Sequence, residues 1–398
     1  MSRLNVGNLF NENEDGAPVV SGISTFSSPN YFVPPSGSTA QRPQNPGEGM
    51  IRFNTDSGHL EYYTGELWVD VIVNNQDLGD QNNSNSTGGT GTRGIQAGGY
   101  NPSPLSAVHN VIQYITIETL GNAQDFGDLA TTAAAPAGVA SRTRGLRLGG
   151  GAAPTNTGNN TIEFITIAST GNSQDFGDLV QKCKEGASAG NQTRGIIAGG
   201  NDEPGTDLNV IHYITIASSG NSVDFGDITA ARDQLPIGQV NSAVRGVFAG
   251  GYTSSPTATL FNTIEYVTIS TTGNTQDFGD LTEIKSRSTS VSNSTRGIFY
   301  TGGTTPIITR VNTIEFITIA TTGNATDFGE SLTTSQQGCG ASSPTRGVFM
   351  GGTIAASPFR INTIEFVTIA QTGNSVDFGD LTLLNSSGLG ISNGHGGL

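Results

Sequence analysis

The string Asp-Phe-Gly occurs six times, starting at Asp125, Asp175, Asp224, Asp277, Asp327 and Asp377, with spacings of 50, 49, 53, 50 and 50 residues. Arg-Gly keeps step with it at Arg93, Arg144, Arg194, Arg245, Arg296 and Arg346. A third block falls between them: IQYITI from Ile112, IEFITI from Ile162, IHYITI from Ile211, IEYVTI from Ile264, IEFITI from Ile314 and IEFVTI from Ile364. A period in the range of about 20–50 residues marks solenoids, propellers or arrays, because a unit this small cannot bury its apolar face without a neighbour. The six copies span residues 92–398 and constrain the fold more than any other feature of the chain.

Each unit reads as short strands. Arg346 to Gly352 is an apolar run closed by paired glycines, as expected of a strand buried on both faces and followed by a turn. A loop rich in Pro, Thr and Asn comes next. Asn362 to Ile369 is β-branched and aromatic, which favours a second strand. Gly373-Asn374 supplies a hairpin turn, and Asp377 to Leu381 a third, short strand. The polar dozen residues before the next Arg-Gly have room for a fourth. Nothing in the unit is helical.

Four strands in about 50 residues fit a propeller blade, whereas solenoid coils usually run shorter. The two ends of the repeat favour a closed ring. The chain enters at Arg93 on the apolar strand, and residues 383–395 supply one first strand without its other three. Pairing the two ends would complete a unit and remove an exposed edge. The sequence therefore predicts an all-β chain with a six-bladed propeller over residues 76–398.

Composition narrows the alternatives. Glycine numbers 56 of 398 residues, about twice the usual share, but it falls in fixed slots of the repeat and lacks the every-third-residue period of collagen. A net charge of −15, with 3 Lys against 15 Arg, gives no electrostatic footprint for nucleic acid. No apolar run approaches the roughly 18 residues of a membrane span, and Met1 to Phe10 lacks the layout of a secretory signal. The two cysteines, Cys183 and Cys339, show no pairing pattern and are expected as free thiols, in keeping with synthesis in a reducing cytosol.

The first ninety residues differ. Residues 1–49 are aperiodic, with prolines at 18, 29, 34, 35, 43 and 46, and read as an extended arm that orders against another surface. Residues 50–75 hold a three-stranded meander with two tight turns. It is too small to bury much of a core, so Phe53, Tyr62, Tyr63 and Trp68 require a surface to pack on, either the propeller or copies of the module.

Two resemblances follow. Over residues 92–398 the order of signatures resembles the kelch repeat: an apolar strand ending in Gly-Gly, an aromatic-bearing strand, a short last strand, and Arg before the next unit. Phe126, Phe176, Phe225, Phe278, Phe328 and Phe378 stand where kelch repeats usually carry Trp. The meander, Gly49 to Asp56 through Leu60 to Val69, resembles a small module of tail-fibre and other virion structural proteins of tailed phages. Ile23-Ser-Thr-Phe26 and Tyr31-Phe32-Val-Pro-Pro-Ser36 resemble the leader of such proteins in cyanophages. That resemblance implies a virion-attachment arm with contacts at Phe26, Tyr31 and Phe32, other virion proteins as partners, a homotrimer, and location in the virion after assembly in the host cytoplasm.

The repeated residues invite chemical readings. Asp-Phe-Gly lacks the phosphate loop, strand lysine and His-Arg-Asp loop of a kinase. The acids of Gly-Asn-x-x-Asp-Phe-Gly-Asp, such as Asn172, Asp175 and Asp178, could offer oxygens to calcium, but Arg–Asp pairing or turn capping is favoured. Glu163, Glu265, Glu315 and Glu365 recur, yet Gln113 and His212 replace them in two units, which argues against a catalytic or metal ring; a solvated or Arg-paired position is expected. His59, His109, His212 and His395 occupy unrelated places, and no clustered Tyr, His and Cys indicates a copper oxidase. No enzyme activity, metal or cofactor is expected.

What varies between units is the loop after Gly-Gly: residues 100–110, 151–160, 201–209, 252–261, 304–311 and 353–361. In a propeller these gather on one face, where loops on a rigid scaffold commonly bind. Tyr100, Asn201, Asp202 and Tyr252 are the candidate contacts to a polar surface such as a host glycan; unconstrained loops would also drift. The sequence thus points to a phage fibre or adhesin displaying a propeller to a host surface, glycan or protein. The alternatives are a decoration, neck or baseplate component that binds another virion protein, and a cellular kelch-like scaffold, against which the leader and meander argue.

Overall fold

The computed structural model describes residues 34–57, 59–70, 92–101, 107–152, 157–202, 205–304 and 309–398. The chain is all-β: strands dominate, and the described residues contain no α-helix, only one 3-10 turn at Thr39–Gln41. It divides into two compact units, Met1–Leu78 and Gly79–Leu398.

The first unit is a four-stranded sheet in which β1 (Ser36–Gly37) runs parallel to β2 (Ile51–Asn54), followed by the antiparallel meander β2, β3 (His59–Tyr63) and β4 (Trp68–Asp70). The expected three strands thus gain a fourth from within residues 1–49. The reason is electrostatic. Glu61 is fully buried, and Arg42 reaches back to it through Nε at 3.2 Å, while Asn54 Nδ2 donates to it at 3.1 Å and Arg52 lies 3.4 Å away. A buried carboxylate without such partners would be costly, and the Arg42 bond holds its pKa below the ordinary value against the effect of burial.

In the second unit six sheets repeat one plan. The second is representative: Ala137–Ala140, Arg144–Leu148, Thr161–Thr166 and Gln174–Asp178, all antiparallel. The first strand of each sheet comes from the polar stretch that follows the preceding Asp-Phe-Gly. The first sheet takes it from the far end of the chain: Leu389–Ser392 pairs with Arg93–Asn101, aligning Ile391 with Ile95. The fourth sheet is the irregular one. Its segment Ile237–Gly238 pairs in parallel with Thr289–Ser292 of the fifth instead of along its own neighbour.

Cores lie between adjacent sheets. The block Ile-x-aromatic-Ile-x-Ile explains this placement: alternate side chains point to opposite faces, so Ile162 packs within its own sheet's cluster while Ile165 and Ile167 pack with Ile95, Ile112 and Phe126 of the first sheet. The first and sixth sheets share a core in the same way, with Ile115 and Ile117 against Val348, Ile364 and Phe378.

Three repeated bonds reinforce each joint. Arg93 Nη1 donates to the Ile167 carbonyl at 2.9 Å while its guanidinium covers the Tyr114 ring at 4.7 Å. Arg194 and Arg245 reach Ile269 and Ile319 likewise, and Arg346 of the sixth sheet reaches Ile117 of the first at 3.0 Å. Asn172 Oδ1 accepts the Asp128 N–H at 3.0 Å, and Asn122 does the same for Asp380 of the sixth sheet. Gly127 makes this contact possible. At φ +145° it meets the next turn so closely that a Cβ would lie 2.6 Å from the Gly171 carbonyl oxygen.

The final residues run among the sheets. His395 is 3% exposed; its Nε2 lies 2.8 Å from the Ala140 carbonyl of the second sheet, and Nδ1 3.0 Å from Asn241 Nδ2 of the fourth. Gly396 N–H donates to Ser292 of the fifth sheet, and Asn393 Oδ1 accepts from Arg93 N–H of the first.

Candidate functional site

Tyr100, Asn201 and Tyr252 occupy one structural position, the residue after Gly-Gly, and each bridges to the segment just before an innermost strand: Tyr100 to Ser386, Asn201 to Lys184, Tyr252 to Asp233. The paired glycines supply the geometry, with φ +62° and +118° at Gly98 and Gly99.

These residues are more engaged than loop tips. Asn201 is 8% exposed, and its Nδ2 donates to Asp233 Oδ2 at 2.7 Å, while Asn201 Oδ1 and Asp233 Oδ1 have no partner. Asp202 accepts from the Thr206 N–H at 2.9 Å and from Gln181 Nε2 at 3.4 Å. Tyr100 is partly buried beneath the Arg360 guanidinium, 5.4 Å from its ring centre; burial and then the Glu185 charge push its hydroxyl up to about 12. Tyr252 is partly buried and tied by both backbone groups to Asp233. The expected attachment contacts Phe26, Tyr31 and Phe32 lie outside the described residues.

Beside this position runs a ring that sequence reading missed. Ala135, Glu185, Gln234, Arg287, Gln337 and Ser387 all adopt left-handed backbone, φ between +49° and +61°, although none is Gly or Asn. They are linked N–H to carbonyl: Glu185 to Ala135, Ala135 to Ser387, Ser387 to Gln337, Gln337 to Arg287, Arg287 to Gln234, at 2.7–2.9 Å. Leu235 to Glu185, at 3.3 Å, completes the circuit. The six residues share no chemical property, so only their constant place, ten positions after the Asp of each Asp-Phe-Gly, could have revealed the position.

Charge gathers around this ring. Asp233, 7% exposed, has its carboxyl pushed up to about 7 by burial and by the Glu185 charge. Burial likewise raises the Glu185 carboxyl, against the pull of Arg287. Tyr100, Glu185, Asp233, Arg287 and Arg360 therefore come together from five different sheets, with carboxylates on the third and fourth and guanidiniums on the fifth and sixth.

The recurring carboxylates are not solvated. Glu163, Glu265, Glu315 and Glu365 are at most 4% exposed. Each clamps the stretch after the preceding Asp-Phe-Gly: Glu163 accepts from the Ala130 and Thr131 N–H groups, Glu265 from Thr229, Glu315 from Thr282 and Glu365 from Leu332. Compensation moves with the sequence. Arg232 pairs with Glu265 at 2.7 Å, and Lys285, one unit on at the same place, pairs with Glu315. Where that place holds Ala133, the cation is Arg147 on the adjacent strand, 3.3 Å from Glu163. Where it holds Ser335, the Tyr300 hydroxyl donates to Glu365. Where it holds Asn385 or Cys183, the carboxylate itself is gone, replaced by Gln113 and His212. Burial alone would raise the Glu265 carboxyl, but Arg232 and the Thr229 and Thr275 hydroxyls outweigh it and hold it down.

The Arg–Asp pairing expected at Asp-Phe-Gly is not what these residues do: the repeated Arg binds backbone carbonyls and aromatic faces. Turn capping does occur, but between units, through Asn172 and its equivalents. Among the described residues, no group of three or more His, Cys, Asp or Glu is placed to hold a metal. Cys183 and Cys339 are free and buried, and burial pushes the Cys183 thiol up to about 12. Comparison with protein-family models and with curated proteins finds no match to this chain.

Proposed function

We propose that the second unit is a closed, six-bladed, kelch-like propeller, and that the chain is a phage virion structural protein of the fibre or adhesin type. The observation that carries this reading is the division of labour in the repeat. Most residues repeated six times are spent on holding neighbours: Arg on carbonyls, Asn on backbone N–H, Phe in the cores, Gly at close approaches, whereas the Asp of Asp-Phe-Gly stays exposed. The differences are concentrated in the stretches after Gly-Gly and in the ring beside them. A scaffold made uniform by its joints and varied on one rim is what a display protein requires. Closure draws support from the Leu389–Ser392 pairing and the Arg346–Ile117 bond.

The rim contacts a host surface, with a glycan the favoured partner, through Tyr100, Asn201, Asp202 and Tyr252. Asp233, Glu185 and Arg287 join them, offering acceptors and donors to hydroxyl-rich ligands. The protein acts without catalysis or cofactor. The arm, through Phe26, Tyr31 and Phe32, docks the chain, as a trimer, to other virion proteins, and the protein resides in the virion after assembly in the host cytoplasm. The test is binding of purified full-length protein to host cells and its ability to block infection. Loss of both in Asp233→Ala/Tyr252→Ala supports the reading. A wild-type protein that neither binds nor blocks, yet labels the neck or baseplate of the particle, replaces it with a structural component that binds a virion partner.

A further inference from the structure

The left-handed ring of the second unit gathers opposite charges that do not neutralise each other. Glu185 and Arg287 belong to it, separated by Gln234, and Asp233 directly precedes Gln234. Arg360 reaches the same place, its Nε donating to Ser386 Oγ, beside Ser387 of the ring, at 3.0 Å. Among the described residues, no ion pair joins either carboxylate to either guanidinium. Their charges nevertheless reach one another: Glu185 and Asp233 both feel Arg287, and Tyr100 feels Glu185, Arg360 and Arg287. Buried polar atoms without a partner collect here too. Asp233 and Asn201 are 7% and 8% exposed, yet the Oδ1 atom of each accepts nothing, and Arg287 Nε donates to nothing. Such atoms are costly to bury and rare in native folds. Phe359, next to Arg360 in the chain, is 57% exposed and held at φ +67°, a backbone that bulky residues avoid. Strain of this kind clusters at ligand clamps.

We infer that this site recognises an acidic sugar of the uronate class: Arg287 and Arg360 take its carboxylate, Asp233 and Asn201 accept from its hydroxyls, and Phe359 offers a ring for its apolar face. The charges select that ligand. A planar guanidinium matches a carboxylate through two parallel hydrogen bonds. A neutral sugar would leave both guanidiniums unpaired, and a cation would be repelled by them. A plain polyanion would meet Glu185, Asp233 and the chain's net charge of −15. A ligand with one anionic group and several hydroxyls answers both halves of the site, and an exposed aromatic ring is the usual companion of such polar groups in a binding site. The inference rests on the glycan reading above and adds to it the charge of the sugar and the residues that read it.

The test is binding of the full-length protein to immobilised oligomers of glucuronate, galacturonate, mannuronate and guluronate, and to the same oligomers with their carboxyls reduced to alcohols. The wild type is expected to bind a uronate oligomer and to lose about tenfold or more in affinity when that oligomer is reduced, the scale of a hydrogen bond to a charged group. Arg287→Gln and Arg360→Gln should each lose about as much, and Arg287→Lys, which keeps the charge without the fork, should lose less. These losses should fall on the uronate form and not on the reduced one, a distinction that a merely structural role would not produce. Should Arg287→Gln melt below the wild type, Arg360→Gln carries the test, since its side chain is only half-buried. Reduced oligomers that bind as well as the uronates, or uronate binding that survives both Gln variants, overturn the proposal and leave the glycan reading standing. A wild type that binds no oligomer also overturns it, and if that protein still binds host cells the glycan reading falls with it in favour of a protein receptor.

Discussion

Arg346 and Ile117 lie 229 positions apart, yet Arg346 Nη1 donates to the Ile117 carbonyl at 3.0 Å, as Arg93 does to Ile167 within neighbouring units. If the joint between the sixth and first sheets equals the others, equivalent substitutions cost the same. Arg346→Met and Arg194→Met should each lower stability by about 1.5–3 kcal/mol, the range for hydrogen bonds to charged groups. Chemical denaturation measures both; no loss for Arg346→Met alone would mean that the joint is open.

Removal of residues 389–398 takes away a strand, two buried side chains, Leu389 and Ile391, and the His395 contacts. Burial of each large aliphatic side chain is worth about 1.5–3 kcal/mol, so the truncated chain should melt well below the full one. A melting temperature that does not move would contradict the role given to this segment.

The pair Arg232–Glu265 is buried at both ends, 0% and 2% exposed. Glu265→Ala should cost about 3–5 kcal/mol, because it strands a buried guanidinium. Arg232→Met/Glu265→Leu should cost far less than either single change. A double-mutant cycle decides; additive losses would show that the two do not compensate each other.

His395 makes the closing segment pH-sensitive. Burial lowers its pKa to about 4 from the ordinary 6.5, so between those values the unfolded chain binds more protons and stability rises with pH. The contribution is full above about pH 6.5 and is lost as pH falls towards 4, by about 3 kcal/mol in all. Asp233, raised from 3.8 to about 7, works in the opposite sense across all of that range, so the proper measure is wild type against His395→Gln at each pH. Their difference should shrink on acidification; a constant difference would mean that His395 is not buried in its neutral form.

The strands and their order were legible because period, Gly-Gly and the β-branched block each have a local physical meaning. The fourth strand of each sheet was legible only from the way the two ends of the repeat complement each other. The ring from Ala135 to Ser387 was not, since left-handed backbone there is imposed by neighbours and leaves no residue preference. The recurrent Glu is Arg-paired at Glu163 and Glu265, as expected, but nowhere solvated, and its full set of partners is hidden from the sequence because they sit at three different places in the repeat: Arg232 and Lys285 at one, Arg147 at another, Tyr300 at a third. Asn201, a candidate surface contact, proved to be largely spent on Asp233.

Closure is tested most directly by proximity across the joint. Gly121 N–H donates to the Phe378 carbonyl at 3.0 Å, and Leu120 and Val376 beside them are both exposed, 60% and 54%. In dilute full-length protein carrying Leu120→Cys and Val376→Cys, a short bismaleimide should join the two within one chain, as shown by peptide mapping of a mixture of isotopically light and heavy protein. It should do so as readily as it joins Thr170→Cys to Gln124→Cys, the equivalent exposed positions at an internal joint, where Gly171 N–H donates to the Phe126 carbonyl at 2.8 Å. An internal pair that links while Leu120 and Val376 do not would contradict the closed ring.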